Sequence, residues 1–187
     1  MEQMTFDEVM VLTRTVSGPA AFEDNECRAY YDLLAALQPG SVIVEIGLQF
    51  GRSSSIALQV AKARGLIYCG VDPFTDPPEA KAEWIKMRDR ICYFSCLYPN
   101  KTKDVAAILP TAVDLALVDG DHLYDGVATD CQVLMPRIVR GGYLLFHDYG
   151  RESLPEVYSA AQAALAPLKD DWEELPTVGT LGIWRRK

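Results

Sequence analysis

Short apolar runs alternate along the middle of the chain with longer stretches in which apolar residues recur with helical period. The runs occupy residues 41–46, 66–71, 91–96, 113–118 and 141–146, and the helical stretches between them lie near 52–64, 79–89, 102–109 and 123–138. Buried parallel strands read as unbroken apolar runs because both of their faces are covered. The alternation therefore predicts an α/β fold with a doubly wound, mostly parallel sheet and helices on both faces.

The two ends of the chain depart from this alternation. Helical periodicity at about 5–16 and 20–37 comes before the first strand. After the fifth run a helix is predicted near 154–168, and residues 171–187 read as two short strands joined around Pro176 to Gly179. We expect this hairpin to form an antiparallel edge of the sheet.

Length indicates one compact domain, because a chain of 187 residues can bury roughly 70% of its unfolded surface in a single core. We interpret residues 1–187 as one domain, with N-terminal helices over 1–38 and a Rossmann-like core over 41–187. The N-terminal helices and the proline-rich stretch 73–78 are candidates for a lid, since loops above strand ends often cover a ligand.

Charge and hydropathy disfavour two classes of partner. The formal net charge is −8 and the pI is about 4.8, whereas nucleic-acid binding relies on clustered Lys and Arg. No segment approaches the ~20 continuous apolar residues of a membrane span, and Met1 to Met10 lacks the basic residues that begin a secretory signal. We expect a cytoplasmic protein with a small-molecule ligand, no nucleic acid and no membrane partner; a monomer and a homodimer both stay open.

The first apolar run leads directly into a glycine turn. Glu45 is followed by Gly47, Gly51 and Ser53, and helical periodicity begins there. Glycine lets the backbone approach a ligand closely, and the first turn of a helix offers free N–H groups to an anion. The second run ends at Asp72, about twenty residues further on, the spacing at which a carboxylate grips a ribose diol. Together these features predict a nucleoside-containing cofactor.

The residues of the turn distinguish between cofactors. The dinucleotide fingerprint requires G-x-G-x-x-G, and Gln49 stands at the position of its second glycine. Glu45, before the first glycine, suits a ligand that carries an amine beside a carboxylate, as the methionine end of S-adenosylmethionine does. A NAD-dependent oxidoreductase is therefore the weaker alternative, also because no Tyr-x-x-x-Lys pair follows.

Four motifs follow one another over residues 41 to about 150: E-x-G-x-x-x-G-x-S, Val-Asp-Pro, D-L-A-L-V-D-G-D-H-x-Y and G-G-Y-L-L-F-H-D-Y. They resemble class I S-adenosylmethionine-dependent methyltransferases, of the small O-methyltransferase-like branch with DGDH and HDY motifs. The resemblance implies a seven-stranded sheet in which only the last inserted strand is antiparallel. It also implies that the methionine portion is surrounded by Glu45, Gly47, Gly51 and Ser53, that Asp72 binds the ribose hydroxyls, and that Asp119 is a further cofactor-binding residue.

At the adenine side the chain departs from the pattern of these relatives. Many of them place an acid followed by a serine before the fourth helix, and the nearest match here is Asn100-Lys101-Thr102. We expect Thr102 to cap the helix that follows it. The adenine-contacting residues are left undetermined.

The two histidines of the chain each stand beside acids just after an apolar run. Asp119, Asp121 and His122 follow the fourth run, and His147 and Asp148 follow the fifth. In open α/β sheets, ligands gather at the carboxyl ends of the strands. A hydroxyl is a poor nucleophile until a base removes its proton or a metal ion lowers its pKa. We expect these residues either to remove the proton of an acceptor hydroxyl or to hold a metal ion that lowers its pKa.

The resemblance extends to metal-dependent relatives similar to catechol and caffeoyl O-methyltransferases, which bind Mg²⁺ with an Asp after the fourth strand and an acid plus an amide after the fifth. The matching positions here are Asp119, His147 and Asp148, and His122 stands where those relatives have a Lys base. Imidazole suits Mn, Fe or Zn better than Mg. Two alternatives stay open: a divalent metal at Asp119, His147 and Asp148, or a metal-free site in which His122 or His147 is the base, oriented by Asp119, Asp121 or Asp148.

We interpret the chain as an S-adenosylmethionine-dependent methyltransferase that acts on a hydroxyl oxygen of a small molecule, with His122, Asp119 and His147 as the catalytic candidates. The alternatives are a NAD-dependent oxidoreductase and a non-catalytic cofactor-binding domain, since fold alone does not dictate function.

Overall fold

The computed structural model describes residues 4–16, 22–75, 77–91 and 95–187. Its strands are β1 (Val42–Ile46), β2 (Ile67–Val71), β3 (Cys96–Tyr98), β4 (Val113–Val118), β5 (Ile138–Phe146), β6 (Trp172–Val178) and β7 (Leu181–Arg186). Its α-helices are α1 (Phe6–Thr13), α2 (Asp24–Ala36), α3 (Arg52–Arg64), α4 (Ala80–Ile91), α5 (Thr102–Val105), α6 (Tyr124–Leu134) and α7 (Pro155–Leu165).

The strands form one sheet in the order β3-β2-β1-β4-β5-β7-β6. β1 to β5 are parallel to one another, and β7 inserts antiparallel between β5 and β6. This confirms the predicted doubly wound sheet of seven strands with an antiparallel C-terminal strand. Because the strand order reverses where β1 pairs with both β2 and β4, the carboxyl ends of these strands diverge to leave a crevice, where such sheets bind ligands.

Helices cover both faces of the sheet, and the central strands alternate between the two cores. In β1, Ile43 packs with the cluster under α1 to α4, and Val44 packs with the cluster under α5 to α7. A period of two is what a strand imposes on its side chains. Trp84 of α4 and Tyr30 of α2 are fully buried in the first cluster. Both faces of β1 are therefore covered, as its unbroken apolar run predicts.

The N-terminal helices are part of the first core layer. Val9 and Met10 of α1 are buried in the same cluster as α3. Polar contacts reinforce this packing: the Gln59 amide of α3 donates to the Val9 carbonyl at 3.1 Å, and the Ser55 hydroxyl donates to Thr13 Oγ1 at 2.8 Å. Their proposed role as a lid stays a prediction, and residues 17–21, between α1 and α2, lie outside the described residues.

The largest difference from the predicted elements is the third strand. An apolar run at 91–96 predicts it, whereas the described strand is Cys96–Tyr98 and Ile91 is the last residue of α4; residues 92–94 lie outside the described residues. Trp84, Met87 and Ile91 are buried at helical spacing. A short apolar run does not by itself distinguish a buried helix end from a strand, so the predicted strand includes the last residue of α4 and stops before the end of β3.

Two smaller differences concern the C-terminal half. β5 begins at Ile138, directly after a single 3₁₀ turn at Met135–Arg137 that ends the helix predicted near 123–138. The hairpin turns at Gly179 and Thr180, and Pro176 lies inside β6, where the pairing with β7 shifts register between Leu175 and Val178. An edge strand tolerates proline at such an irregularity because no ladder hydrogen bond is lost there. No helix of the described residues is both long and apolar enough to cross a bilayer.

Candidate active site

A cavity of about 720 Å³ opens at the carboxyl ends of the parallel strands. Residues from the turns after five strands line it, which is the arrangement that the two histidine motifs predict. They are Gly47 to Ser53 after β1, Asp72 after β2, Asn100 to Lys103 after β3, Asp119 to His122 after β4, and His147 and Asp148 after β5. The cavity therefore extends across the sheet from β3 to β5.

The glycine turn (residues 47–53) has a backbone path that requires glycine. Gly47 has φ +84°, and a Cβ added there would lie 1.9 Å from the carbonyl oxygen of Asp119. Gly51 has φ +93°, and a Cβ there would lie 2.4 Å from Met87 Cε and 2.7 Å from Trp84 Cδ1. α3 begins just after Gly51 and has no side-chain cap. Its first N–H groups are therefore available to an anionic group in the cavity.

Asp72 holds the glycine turn in place. Its Oδ2 accepts hydrogen bonds from the backbone N–H of Leu48 at 2.7 Å and of Gln49 at 2.9 Å, and its Oδ1 accepts from the Phe74 N–H at 2.5 Å. Gln49 has φ +44°, a left-handed conformation that costs a non-glycine residue about 1 kcal/mol or more. The Asp72 contacts offset this strain. The sequence pattern assigned Asp72 to the ribose and did not predict this second role.

Glu45 lies one layer behind the cavity. It is fully buried and is absent from the lining, and its two oxygens accept hydrogen bonds from Ser53 Oγ and from the Tyr68 hydroxyl, each at 2.5 Å. Burial raises the pKa of Glu45 to about 7, although these hydroxyl donors lower it in part. Ser53 lines the cavity and separates Glu45 from it. The structure therefore connects Glu45 to the predicted methionine site through a hydroxyl.

Four residues form the acid–histidine cluster: Asp119, His122, His147 and Asp148. His147 Nδ1 lies 3.0 Å from Asp119 Oδ1 and 3.5 Å from Asp148 Oδ2. His122 Nε2 lies 3.2 Å from Asp148 Oδ2 and 3.8 Å from Asp119 Oδ1. The structure thus brings together all four of these predicted site residues. Asp121 faces its own helix, since its Oδ1 accepts the Leu123 N–H at 3.0 Å.

The two histidines occupy different environments. The His147 side chain is 1% exposed and its ring packs at 4.9 Å from the Phe22 ring, whereas the His122 side chain is 40% exposed at the cavity surface. Burial would lower the pKa of His147, but contacts with Asp119, Asp148 and Glu26 outweigh it and raise that pKa to about 12. Hydrogen bonding to Asp119 and then Asp148 raises the pKa of His122 to about 9. His147 is therefore an imidazolium that carboxylates surround.

Asp148 carries the negative charge that both histidines share. Its φ of +56° is unusual for aspartate, and its Oδ1 accepts a hydrogen bond from Arg151 Nη1 at 2.7 Å. Burial would raise the pKa of Asp148, but His122, His147 and Arg151 together hold it well below its usual range. A strained residue at a ligand cavity is often held there for function.

Glu26 of α2 is a buried acid that sequence analysis missed. Its Oε2 lies 3.4 Å from His147 Nε2 and accepts the Glu23 N–H at 2.7 Å. Its Oε1 accepts the N–H of Thr180 at 2.6 Å and its hydroxyl at 2.8 Å. Burial would raise the pKa of Glu26, but the contacts with His147, Glu23 and Thr180 lower it to about 2. The only local signal is the Glu23–Glu26 capping spacing, which predicts a helix start and no contact with His147.

Three residues of the cluster could together hold a metal ion. One ligand atom from each of Asp119, His122 and Asp148 lies within 4.8 Å of the others. The sequence predicts Asp119, His147 and Asp148 instead. His147 Nδ1 already faces carboxylates and its Nε2 faces Glu26. The geometry therefore offers the exposed histidine, and not the buried one, as the nitrogen donor.

Comparison with known proteins agrees with the fold. A family described as a methyltransferase domain has a model that matches residues 44–149. A curated relative, an uncharacterized protein of Acanthamoeba polyphaga mimivirus, is 30% identical over 118 residues, which are 57% of this chain and 50% of that protein. The matched region thus spans about half the length of that curated relative.

Two solved structures share the fold at low identity. CalS11, a TDP-rhamnose 3'-O-methyltransferase and an enzyme in calicheamicin biosynthesis, has a TM-score of 0.67 at 18% identity, covering 96% of this chain and 92% of its own. The S-adenosylhomocysteine-bound methyltransferase PaMTH1 of Podospora anserina has a TM-score of 0.72 at 17% identity, covering 97% of this chain and 87% of its own.

Proposed function

The chain belongs to the family of methyltransferase domains, and from this premise we propose that it transfers a methyl group from S-adenosylmethionine to a hydroxyl oxygen of a small molecule. The resemblance to class I S-adenosylmethionine-dependent methyltransferases is confirmed, and the NAD-dependent oxidoreductase has no support. One observation carries the proposal: the glycine turn and the acid–histidine cluster line the same cavity. A methyl donor bound at the glycine turn would lie beside the acid–histidine cluster.

The glycine turn supplies the features that the methyl donor needs. Gly47 and Gly51 let the backbone approach the ligand, and the start of α3 presents N–H groups to the methionine carboxylate. Ser53 lines the cavity in front of Glu45, so its oxygen can contact the methionine end while its O–H donates a hydrogen bond to Glu45. Asp72 reaches the cavity from β2 and is assigned to the ribose hydroxyls.

Methyl transfer to oxygen requires that the acceptor lose a proton. The hydroxyl oxygen attacks the methyl carbon, the C–O bond forms as the C–S bond breaks, and sulfur keeps the electron pair. The acid–histidine cluster lines the same cavity as the glycine turn, so its side chains are the candidates to take the proton of the acceptor hydroxyl. Asp119 and Asp148 are the acids that lie nearest to His122, and the exposed His122 ring is the member that a small acceptor can reach.

We assign a divalent cation to Asp119, His122 and Asp148. Their donor atoms, one nitrogen and two carboxylate oxygens, suit Mn, Fe, Co or Zn better than Mg. His122 Nε2 also lies 3.2 Å from the Asp148 carboxylate and 3.8 Å from the Asp119 carboxylate, so the three donor groups face one point. A cation bound there would lower the pKa of the acceptor hydroxyl. In this proposal His147, as a fixed imidazolium, positions Asp119.

Calorimetry with S-adenosylhomocysteine and with NAD tests the cofactor assignment. We expect micromolar binding of S-adenosylhomocysteine and none of NAD. A chain that binds neither would refute the methyltransferase proposal and favour a domain that keeps only the fold. Transfer of a labelled methyl group to a panel of sugars and phenols then identifies the acceptor class.

Removal of metal tests the cation assignment separately. After dialysis against a chelator, we expect methyl transfer to fall at least tenfold and to return with Mn²⁺, Co²⁺ or Zn²⁺, while binding of S-adenosylhomocysteine is unchanged. Full activity after chelation would remove the cation from the proposal.

A further inference from the structure

Two of the five cysteines lie side by side at one end of the sheet. Cys69 of β2 and Cys96 of β3 are direct partners in the register of these parallel strands. Register partners project from the same face of a sheet, and the two free thiols are in contact. The two residues are far apart in the sequence and form no CxxC motif, so only the pairing of β2 with β3 reveals them.

The two thiols differ in what can reach them. Cys69 is 2% exposed and packs with the cluster under α5 to α7, whereas Cys96 is exposed on the edge strand. Burial, together with the contact with Cys96, raises the pKa of Cys69 to about 12, so this thiol stays protonated near neutral pH. An oxidant in water therefore meets Cys96 first, and Cys69 is the neighbouring thiol that can react with the oxidised sulfur.

The other cysteines of the described residues are placed differently. Cys27 lies in α2 and Cys131 lies in α6, and both are buried. Oxidation of a thiol follows its exposure, so we expect these two to be spared while the domain is folded. Cys92 lies outside the described residues, and the test below treats it separately.

A bond between Cys69 and Cys96 requires a small movement of β3. Neighbouring strands lie about 4.8 Å apart, which is within the range of Cα separations that disulfides span. The Cβ atoms, however, must approach to about 3.8 Å, and parallel neighbours hold them near the strand spacing. β2 is held between β1 and β3, whereas β3 has three residues and pairs only with β2 among the described strands. The strand that moves is therefore β3.

This movement leads into the cofactor half of the cavity. The carbonyl of Tyr98, two residues after Cys96, accepts the N–H of Asp72 at 3.1 Å. Asp72 in turn accepts two N–H groups of the glycine turn. Residues 100–103, which follow β3 directly, line the cavity. A displacement of β3 therefore changes both the support of Asp72 and one wall of the cavity.

We propose that Cys69 and Cys96 form a reversible disulfide on exposure to a peroxide, and that this bond weakens binding of the methyl donor. The second part rests on the proposed function. Hydrogen peroxide oxidises Cys96 Sγ to a sulfenic acid and one water leaves. Cys69 Sγ then attacks that sulfur, the S–S bond forms as the S–O bond breaks, and a second water leaves. The two thiols lose two electrons and two protons, and the peroxide gains them.

Mass spectrometry tests the disulfide without reference to the cofactor. The folded full chain is treated with hydrogen peroxide, its free thiols are alkylated, and it is digested with trypsin. We expect a pair of peptides joined through Cys69 and Cys96, which dithiothreitol separates. No joined peptides, or a joined pair that does not include both of these cysteines, would overturn the proposal.

Cys92 needs its own control because it shares a tryptic peptide with Cys96. The Cys92→Ser chain should form the same link, and fragment ions of the joined peptides assign the link in the unmodified chain if that variant does not fold. A link that the fragment ions assign to Cys92, or that is lost in folded Cys92→Ser, contradicts the pairing of Cys69 with Cys96.

Calorimetry with S-adenosylhomocysteine tests the effect on binding. We expect the oxidised chain to bind about fivefold or more weakly, because a binding site tolerates displacements of only about 0.5 Å, and dithiothreitol should restore the affinity. Cys96→Ser, a matched control at an exposed position, should keep its affinity through the same treatment. Equal affinity of the oxidised and reduced chains overturns the effect on binding, and so does an equal loss in Cys96→Ser. If S-adenosylhomocysteine does not bind the reduced chain, the proposed function itself fails, while the mass spectrum still decides whether the disulfide forms.

Discussion

The two halves of the cavity are built differently. In the glycine turn, backbone atoms give the shape, and the side chains that support it, Asp72 and Glu45, form hydrogen bonds with N–H and O–H groups. In the acid–histidine cluster, the side chains themselves are the site, and opposite charges hold them together. The first half should therefore be sensitive to added atoms, and the second to lost charges.

The largest effect is expected from an added methyl group in the glycine turn. Gly47→Ala would place a Cβ 1.9 Å from the Asp119 carbonyl at φ +84°. Strain and overlap together should weaken S-adenosylhomocysteine binding by roughly a thousandfold or prevent folding. Gly40→Ala is a matched control with φ +86° and nothing within 4 Å of the added Cβ. Similar losses in both variants, by calorimetry and thermal unfolding, would contradict the role of the close approach.

The cluster should respond in the opposite way, with chemistry lost and binding kept. His122→Ala removes the exposed ring, and we expect kcat to fall by about a hundredfold or more while the Kd of S-adenosylhomocysteine changes less than about threefold. Labelled methyl transfer and calorimetry measure the two quantities. If both fall together, His122 supports the cavity and takes no part in catalysis.

Charge is the next property to test in the cluster. Glu26→Gln keeps one oxygen for the Thr180 donors, but it replaces the oxygen that accepts the Glu23 N–H and faces His147 with an uncharged amide nitrogen that cannot accept. Removing one of the three carboxylates around the buried imidazolium, together with the hydrogen bond from the Glu23 N–H, should lower the free energy of unfolding by about 3 kcal/mol. Urea unfolding measures this loss, and the exposed acid Asp7 gives a control as Asp7→Asn. Equal stability of both variants would show that the Glu26 charge is not needed.

The smallest effect should appear behind the glycine turn, as a pH dependence. The pKa of Glu45 is raised to about 7 in the folded chain, above its ordinary value of 4.5, so the folded state holds this proton more tightly than the unfolded state. The contribution of Glu45 to unfolding free energy should therefore fall by roughly 2 to 3 kcal/mol as pH rises from about 4.5 to about 7. Glu45→Gln should remove this fall. Parallel stability curves for the two proteins between pH 4.5 and 8 would refute the assignment.

Elements with strong local signals were predicted closely. β4 was predicted at 113–118 and is Val113–Val118, and α3 was predicted at 52–64 and is Arg52–Arg64. α3 has a glycine of positive φ at each end, Gly51 and Gly65, and these mark its bounds in the sequence. Such signals are local, so no knowledge of the tertiary structure is needed to use them.

The features that were missed depend on contacts between distant parts of the chain. Glu26 shows no site motif, because only the packing of α2 against His147 and Thr180 brings it to the cluster. The sequence also did not show which histidine lies closer to a geometry for metal binding: it predicts His147, and the structure places His122 there. His147 is enclosed by a helix that lies more than a hundred residues before it, through Glu26, whereas His122 stays at the surface.

The contact between Glu26 and Thr180 spans 154 residues. During synthesis, Glu26 therefore has neither its Thr180 donors nor the His147 imidazolium until almost the whole domain has emerged. Closing such a long loop is entropically costly, so contacts of this kind are expected to form late in folding. The order of assembly would thus leave the acid–histidine half of the cavity incomplete in any partly folded chain.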